Sequence, residues 1–280
     1  MKLGIFAKTF EGTDALAVMA AARDAGFATV QYNMACSGLS SMPDDISAAV
    51  AKSVRDAALV SGIGIAAVSA TYNMIHPEVG LRKRGLKRLE VLAALGAEMG
   101  TELLTLCTGT RHATDQWQWH AENNSTAAWS DLCTEMSMAL DIAERYNVIL
   151  GIEPELANVV NSAAKAKLLL DEMKSPRLKI VFDAANLFET VSLQEQHAVV
   201  STSVDMLADH IVMAHAKDRK RDGSFTVAGQ GCLDYGHYIS CLKAIGFDGA
   251  LITHGLAATD AAAVGQFLHS HLERAKSRGA

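Results

Sequence analysis

Four polar side chains stand at the ends of four apolar runs in the second half of the chain. They are Glu153 in GIEPE, Asp183 in IVFD, His215 in VMAH and His254 in LITH. Each type alone is commonly a helix cap or a structural residue, but four at equivalent positions favour a shared role. Two carboxylates and two imidazoles form the mixed donor set that suits Mn, Co, Zn, Fe or Mg. The pattern therefore predicts a divalent metal site built from these four residues.

Further polar and aromatic residues follow the third, fourth and seventh apolar runs, where they could contact a substrate. The candidates are Asn73, His76, Arg111, Trp117, Trp119 and Arg221. Loop aromatics can stack on a sugar face, and an arginine can hold a ketose oxygen, a carboxylate or a phosphate. A structural alternative stays open for each, because Asn and His also cap turns, tryptophans also pack against a second subunit, and charge runs are often solvated.

The elements that must position these residues form a repeated unit, in which an amphipathic helix ends at Gly or Asn and a short apolar run follows. Left-handed helix ends are expected at Gly26, Gly62, Gly100, Asn147 and Gly246. Counting KLGIFA at the start, eight such runs alternate with helical segments, which indicates right-handed βαβ crossovers and a parallel sheet. We therefore predict an α/β fold with a single (β/α)8 barrel domain over residues 1–280, because a doubly wound sheet would favour a glycine-rich first turn that KTFEGTD lacks.

Composition narrows the range of partners. Thirty-one acidic against 25 basic residues give a net charge of −6, which disfavours a nucleic-acid substrate. The five cysteines form no CxxC pair and fit a reducing compartment. The first residues contain no secretion signal, and no window is apolar enough to span a membrane, so we expect a cytoplasmic location. Cys107 ends the fourth run, but no spacing gives it a partner for nucleophilic chemistry.

The chain resembles the xylose isomerase-like barrels, which include ketose 3-epimerases, hydroxypyruvate isomerase, inosose dehydratase and endonuclease IV. The resemblance is carried by VILGIEPE, KIVFDAANLF, HIVMAHAKD and GQGCLDYGHYISCLKAIGFDGALI. It implies that Glu153, Asp183 and His215 are metal ligands. It also implies a homo-oligomer, either a dimer or a tetramer.

Two positions depart from the pattern of this family. His254 stands where the family has a glutamate that completes an acid/base pair, and an imidazole there could ligate the metal or move a proton near neutral pH. Asn186 stands where many members have a histidine, which implies the loss of a substrate or metal contact.

The resemblance implies a metal-dependent sugar isomerase or epimerase that acts on a ketose, keto-acid or related polyol through an enediolate. Glu153 is then the candidate general base, and His254 or Lys217 relays the second proton. Glu155 points the same way as Glu153 along an extended strand, so the two could share that role. The alternatives are a lyase or dehydratase on a keto-sugar or keto-inositol, an endonuclease-like phosphodiesterase, and a sugar-binding barrel without catalysis.

Overall fold

Eight parallel strands close into a barrel in the computed structural model, which describes residues 1–277. In chain order the strands are β1 (Lys2–Phe6), β2 (Thr29–Tyr32), β3 (Gly64–Ser69), β4 (Leu103–Cys107), β5 (Ile149–Glu153), β6 (Leu178–Asp183), β7 (Ile211–Ala216), β8 (Asp218–Arg219), β9 (Phe225–Thr226) and β10 (Ala250–Thr253). β8 and β9 form a separate antiparallel hairpin, and the other eight strands form the barrel. Pairing of β1 with both β2 and β10 closes the ring. The predicted (β/α)8 barrel is confirmed.

Eight α-helices surround the barrel, one after each barrel strand. They are α1 (Ala15–Asp24), α2 (Ala48–Ser61), α3 (Val79–Met99), α4 (Thr126–Arg145), α5 (Ala163–Met173), α6 (Leu193–Leu207), α7 (Tyr235–Ala244) and α8 (Ala261–Ser277). Every predicted helix end has positive φ, from 54° at Asn147 to 99° at Gly100. These left-handed residues turn the chain back toward the next strand.

The barrel interior is filled with apolar side chains below the level of the polar strand ends. Ala67, Val181, Met213 and Ile252 form a buried cluster there. Gly4 of β1 makes room for this packing, since a Cβ atom at that position would lie 2.4 Å from the Ile252 side chain. Because the interior is a packed core, a substrate can approach only from the carboxyl ends of the strands.

Several features differ from the sequence-based prediction or extend it. β2 begins at Thr29 and β10 at Ala250, each a few residues after the glycine that ends the preceding helix. Phe27 and Phe247 precede those strands and are buried in the main hydrophobic core. The β8–β9 hairpin was not predicted. Within the described residues, no helix combines the length and the apolar character needed to cross a membrane.

Candidate metal centre and active site

The four predicted metal ligands converge at the carboxyl end of the barrel. Glu153 and Asp183 are the last residues of β5 and β6, His215 lies near the end of β7, and His254 directly follows β10. Because parallel strands end on the same side of the ring, the four side chains meet over its axis. Each offers one donor atom, and these atoms all lie within 4.8 Å of one another. The four residues could therefore hold a metal ion.

Two buried atoms in this cluster support that assignment. Oδ2 of Asp183 and Nε2 of His254 are both buried and have no hydrogen-bond partner. They lie 3.5 Å apart. A buried polar atom without a hydrogen bond costs about 1–3 kcal/mol, so a cation bound between these two atoms would relieve that cost. A carboxylate oxygen and an imidazole nitrogen are both good ligands for a divalent cation.

The orientation of His215 is set by a residue that the sequence did not single out. Gln31, on β2, donates from its amide nitrogen to Oγ1 of Thr105 at 3.1 Å, so its amide oxygen is left to accept. Nε2 of His215 donates to that oxygen at 2.8 Å. The other ring nitrogen, Nδ1, lies 3.0 Å from Oε1 of Glu153. Gln31 therefore fixes the imidazole with Nδ1 toward the other ligands, as outer hydrogen bonds commonly do in metal sites.

Neighbouring groups set the protonation of the candidate ligands. Burial opposes the ionisation of Asp183, but the ammonium of Lys217 and the imidazole of His254 outweigh it and lower the pKa of Asp183 below its ordinary value. Burial and the neighbouring His215 lower the pKa of His254, which keeps this imidazole neutral near pH 7. Although burial acts against it, the carboxylate of Glu153 raises the pKa of His215. An incoming metal ion would replace the His215 proton that this pair retains.

Asn186 links Glu153 to Lys217. Its amide nitrogen donates to Oε1 of Glu153 at 2.7 Å, and its amide oxygen accepts from Nζ of Lys217 at 2.7 Å. Lys217 also lies 3.5 Å from Oδ2 of Asp183. Asn186 is fully buried, so both ends of its amide are used inside the site. Asn186 thus connects two candidate catalytic groups, and the loss of a substrate or metal contact at this position stays a prediction.

A cavity of about 590 Å³ opens above the metal ligands. Its wall on the side of β2, β3 and β4 carries neutral polar groups, listed here: Gln31, Asn33, Ser69, Thr71 and Thr105. The aromatic side chains of Phe6, Trp117 and Phe225 also line it. Hydroxyl and amide groups opposite a charged cluster suit a polyhydroxylated molecule. Sequence reasoning missed the polar wall, although the same inspection of strand ends, applied to the first four runs, would have found Gln31, Ser69 and Thr105.

Glu155 lines the same cavity, two residues beyond Glu153. Burial raises its pKa to about 7, and the nearby Lys217 opposes that rise only in part. The site therefore contains a third carboxyl group besides its two carboxylate ligands, as the alternation of the strand suggested.

Asn73, His76 and Arg111, predicted to bind substrate, make hydrogen bonds within the loops. The amide oxygen of Asn73 accepts from the backbone N–H of Thr110, and its amide nitrogen donates to the Thr110 carbonyl. His76 Nε2 donates to the carbonyl of Ala113, since its Nδ1 accepts from a backbone N–H. Arg111 donates to the carbonyl of Ile75 and pairs with a carboxylate on α4. None of the three belongs to the described lining of the cavity.

The structure separates the two loop tryptophans. Trp117 lines the cavity with about half of its surface exposed, whereas Trp119 is equally exposed but is not among the lining residues described. Arg221 lies on the exposed turn of the β8–β9 hairpin and lines a different cavity, beside Glu189 and Thr190. Of the six predicted substrate residues, the structure thus brings Trp117 to the metal ligands. Substrate binding by the six stays a prediction.

The family of the chain follows from comparison with protein-family models. The model for the xylose isomerase-like TIM barrel matches residues 19–267. The chain therefore belongs to that family, as its sequence motifs indicated. No curated protein sequence matches the chain significantly.

Solved structures of sugar epimerases share this fold over nearly their whole length. The 3-keto-D-glucoside 4-epimerase of E. coli has a TM-score of 0.76 at 16% identity, covering 96% of this chain and 99% of that one. An L-ribulose 3-epimerase has a TM-score of 0.77 at 17% identity, with 99% and 96% covered. A D-psicose 3-epimerase has a TM-score of 0.73 at 15% identity, with 99% and 98% covered. At such identities the likeness shows the fold alone.

Proposed function

We propose that this protein is a metal-dependent sugar isomerase or epimerase that acts on a ketose, keto-acid or related polyol through an enediolate. The observation that carries the proposal is the cluster of Glu153, Asp183, His215 and His254 at the base of a polar cavity. The names of the structural neighbours, which are epimerases of keto-glycosides and ketoses, support a sugar substrate.

The metal would be Mn, Co, Mg or Zn, held by those four residues. Once bound, such an ion supplies positive charge that stabilises negative charge on substrate oxygens and acidifies the neighbouring C–H. The neutral groups of the β2–β4 wall would hold the substrate hydroxyls in one orientation. Packing Trp117 against the apolar face of the sugar would exclude water from the reacting carbons.

Glu153 is the proposed general base. The electrostatic effect of His215 outweighs burial and lowers the pKa of Glu153, so it is ionised at neutral pH and can accept a proton from carbon. Asn186 holds Oε1 of this carboxylate. Lys217, whose ammonium is tied to Asn186, or His254 would return a proton to the product. A homo-oligomeric state and a cytoplasmic location stay predictions.

A second candidate is a lyase or dehydratase on a keto-sugar or keto-inositol. His254 favours it, because this residue replaces the glutamate that would complete a pair of opposed carboxylates. Loss of a β-leaving group needs one base and one acid, and Glu155, with a pKa of about 7, could protonate the departing oxygen. Both reactions would begin with the same carbanion. An epimerase returns a proton to it, whereas a dehydratase expels water from it.

Elemental analysis of the purified protein tests the metal centre first. About one metal per chain in the wild type, lost in Glu153→Ala and His254→Ala, is the expected result. His269→Ala is the matched control, because His269 is exposed on α8. Absence of metal in the wild type after incubation with Mn, Co, Zn and Mg would sink the proposal.

Turnover is then assayed by NMR in D₂O with ketoses, keto-glycosides and keto-inositols. An isomerase or epimerase incorporates solvent deuterium at one carbon and keeps every substrate oxygen, whereas a dehydratase releases water and gives an unsaturated or deoxy product. Metal binding without reaction across this panel would instead support a sugar-binding barrel.

A further inference from the structure

Phe225 is a large apolar side chain placed at the metal-site cavity by a very short element. It lies on β9 of the β8–β9 hairpin, where it pairs with Arg219. Its side chain lines the cavity and is 44% exposed. The neighbouring Lys217, by contrast, is only 8% exposed, although lysine is normally one of the most exposed residue types. An exposed aromatic ring and a buried ammonium thus lie side by side at the cavity.

The ring of Phe225 lies against two cations. Nζ of Lys217 is 3.8 Å from the ring centroid, and the guanidinium carbon of Arg219 is 3.9 Å from it. The Lys217 ammonium is thus held by the amide oxygen of Asn186, by the carboxylate of Asp183 and by the phenyl ring. The first two contacts lie within the active site, and the ring is the contact contributed by the hairpin.

The hairpin itself is fixed by Asp218. Oδ1 of this buried carboxylate accepts from the backbone N–H groups of Arg219 and Leu233, and Oδ2 accepts from those of Gly229 and Gly231. A Cβ atom on Gly231 would lie 2.2 Å from Oδ1 of Asp218, so the return loop can approach this closely only with glycine there. The three bonds from Gly229, Gly231 and Leu233 hold β8 against the loop that follows β9, and they thereby hold the ring in place.

A second anchor ties the same hairpin to the strand that carries Asp183. Nε of Arg219 donates to the carbonyl of Ala185 at 2.6 Å, and Nη1 donates to the carbonyl of Gly223 at 2.5 Å. Ala185 lies two residues after Asp183 and one before Asn186. The bond to Ala185 therefore fixes the position of the hairpin relative to the segment that carries Asp183 and Asn186, the other two partners of Lys217.

We propose that Phe225 is a positioning residue for Lys217. Its ring covers the ammonium on the cavity side and attracts it through the electron-rich face, which keeps Nζ between Asn186 and Asp183. The part of Lys217 in catalysis rests on the proposed function, but the placement of its ammonium by Phe225 does not. Because the Phe225 ring contacts the cations of Lys217 and Arg219, its role is to hold these side chains. Trp117 remains the candidate for stacking on the sugar.

Chemical labelling of lysines tests the placement without any substrate. Wild type, Phe225→Leu and Phe225→Tyr are treated with limiting acetic anhydride, and the labelling rates of individual lysines are followed by mass spectrometry. We expect Lys217 to be labelled about 2- to 5-fold faster in Phe225→Leu, the factor that corresponds to an exposed cation–π contact. Phe225→Tyr keeps the aromatic face and should restore the wild-type rate. Lys8, which lines the same cavity, is the internal control.

Kinetics with whichever sugar is turned over give a second measurement. Phe225→Leu should lower kcat with little change in KM, and Phe225→Tyr should recover kcat. Unchanged labelling of Lys217 in Phe225→Leu would overturn the proposal, whatever happens to activity. Equal acceleration at Lys8 and Lys217 would also overturn it, since that pattern indicates a general loosening of the cavity. If the wild type turns over no sugar, the proposed function fails while the labelling result still decides the role of Phe225.

Discussion

The amide of Asn186 joins Glu153 to Lys217, with 2.7 Å from its nitrogen to Oε1 of Glu153. Its oxygen accepts from Nζ of Lys217 over the same distance. One neutral side chain thus supplies a donor to an anion and an acceptor to a cation, and Lys217 fixes which end of the amide faces Glu153. A histidine at this position could satisfy both neighbours only in one tautomer.

Asn186→Asp should reduce kcat by about 10- to 100-fold, the range typical for partners that orient a metal ligand. The new carboxylate removes the donor to Glu153 and places a second negative charge against it. Steady-state kinetics and metal content measure the effect. Asn124→Asp is the control, because Asn124 is exposed and its amide oxygen accepts a hydrogen bond from Lys165. An Asn186→Asp enzyme with wild-type kcat would contradict the positioning role.

Gln31→Leu should weaken metal binding by about 10- to 100-fold. Without the amide oxygen, Nε2 of His215 loses its partner, and the imidazole is free to turn or to change tautomer. Competition with a chromophoric chelator gives the affinity. Gln118→Leu controls for the loss of an amide, since Gln118 is exposed. Equal affinities for Gln31→Leu and wild type would show that the ring is held by other groups.

Trp117→Ala should raise KM by about 3- to 10-fold and change kcat less, if stacking on a sugar face contributes about as much as an aromatic pair, roughly 0.5–1.5 kcal/mol. The matched control is Trp119→Ala, which removes an equally exposed indole from the same loop. A rise in KM in Trp117→Ala but not in Trp119→Ala would show that Trp117 contacts the substrate and does not serve only in a subunit contact. If Trp119→Ala alone raises KM, the assignment of the two residues is reversed.

Asp131 should make stability depend on pH at acid values. Hydrogen bonds from Arg111, together with the charge of Arg82, lower the pKa of Asp131 below its ordinary value despite some burial. A depressed folded-state pKa stabilises the protein above the unfolded value of about 3.9, and this contribution is lost as the pH falls through the folded-state value. The urea midpoint of Asp131→Asn should therefore lie below that of the wild type at neutral pH.

The two urea midpoints should then converge as the pH falls below about 4. Asp141→Asn, an exposed change on the same helix, is the control and should follow the wild type throughout. A constant difference between Asp131→Asn and wild type at every pH would mean that the carboxylate acts through packing and not through its charge.

The sequence predicted the parts of this fold that follow from local rules. Left-handed helix ends at Gly62 and Asn147 are set by backbone preferences, and apolar strands with polar ends follow from burial at the barrel axis. The convergence of Glu153 and His254 was predictable for the same reason, since strand position alone places both residues at one end of the barrel.

Contacts between distant segments were beyond sequence reasoning. Asn73 and Arg111 are residue types that often bind substrates. Here, however, their side chains donate hydrogen bonds to loop carbonyls, and Arg111 also pairs with a carboxylate of α4. Gln31 looked like one polar residue in an apolar strand, because its partner His215 lies 184 positions away. Such pairings depend on which loops fold over the barrel, and no local pattern encodes that.

The candidate metal ligands and the neutral polar groups of the cavity come from opposite halves of the barrel. β5, β6, β7 and β10 carry the metal donors, whereas β2, β3 and β4 carry amides and hydroxyls such as Gln31 and Thr105. Under the proposed function, replacements in the early strands should therefore change which sugar is bound and leave the candidate metal ligands in place. Gln31 belongs to both groups, because it lies in the polar wall and also reaches across to His215, so a change at this one position should alter substrate and metal binding together.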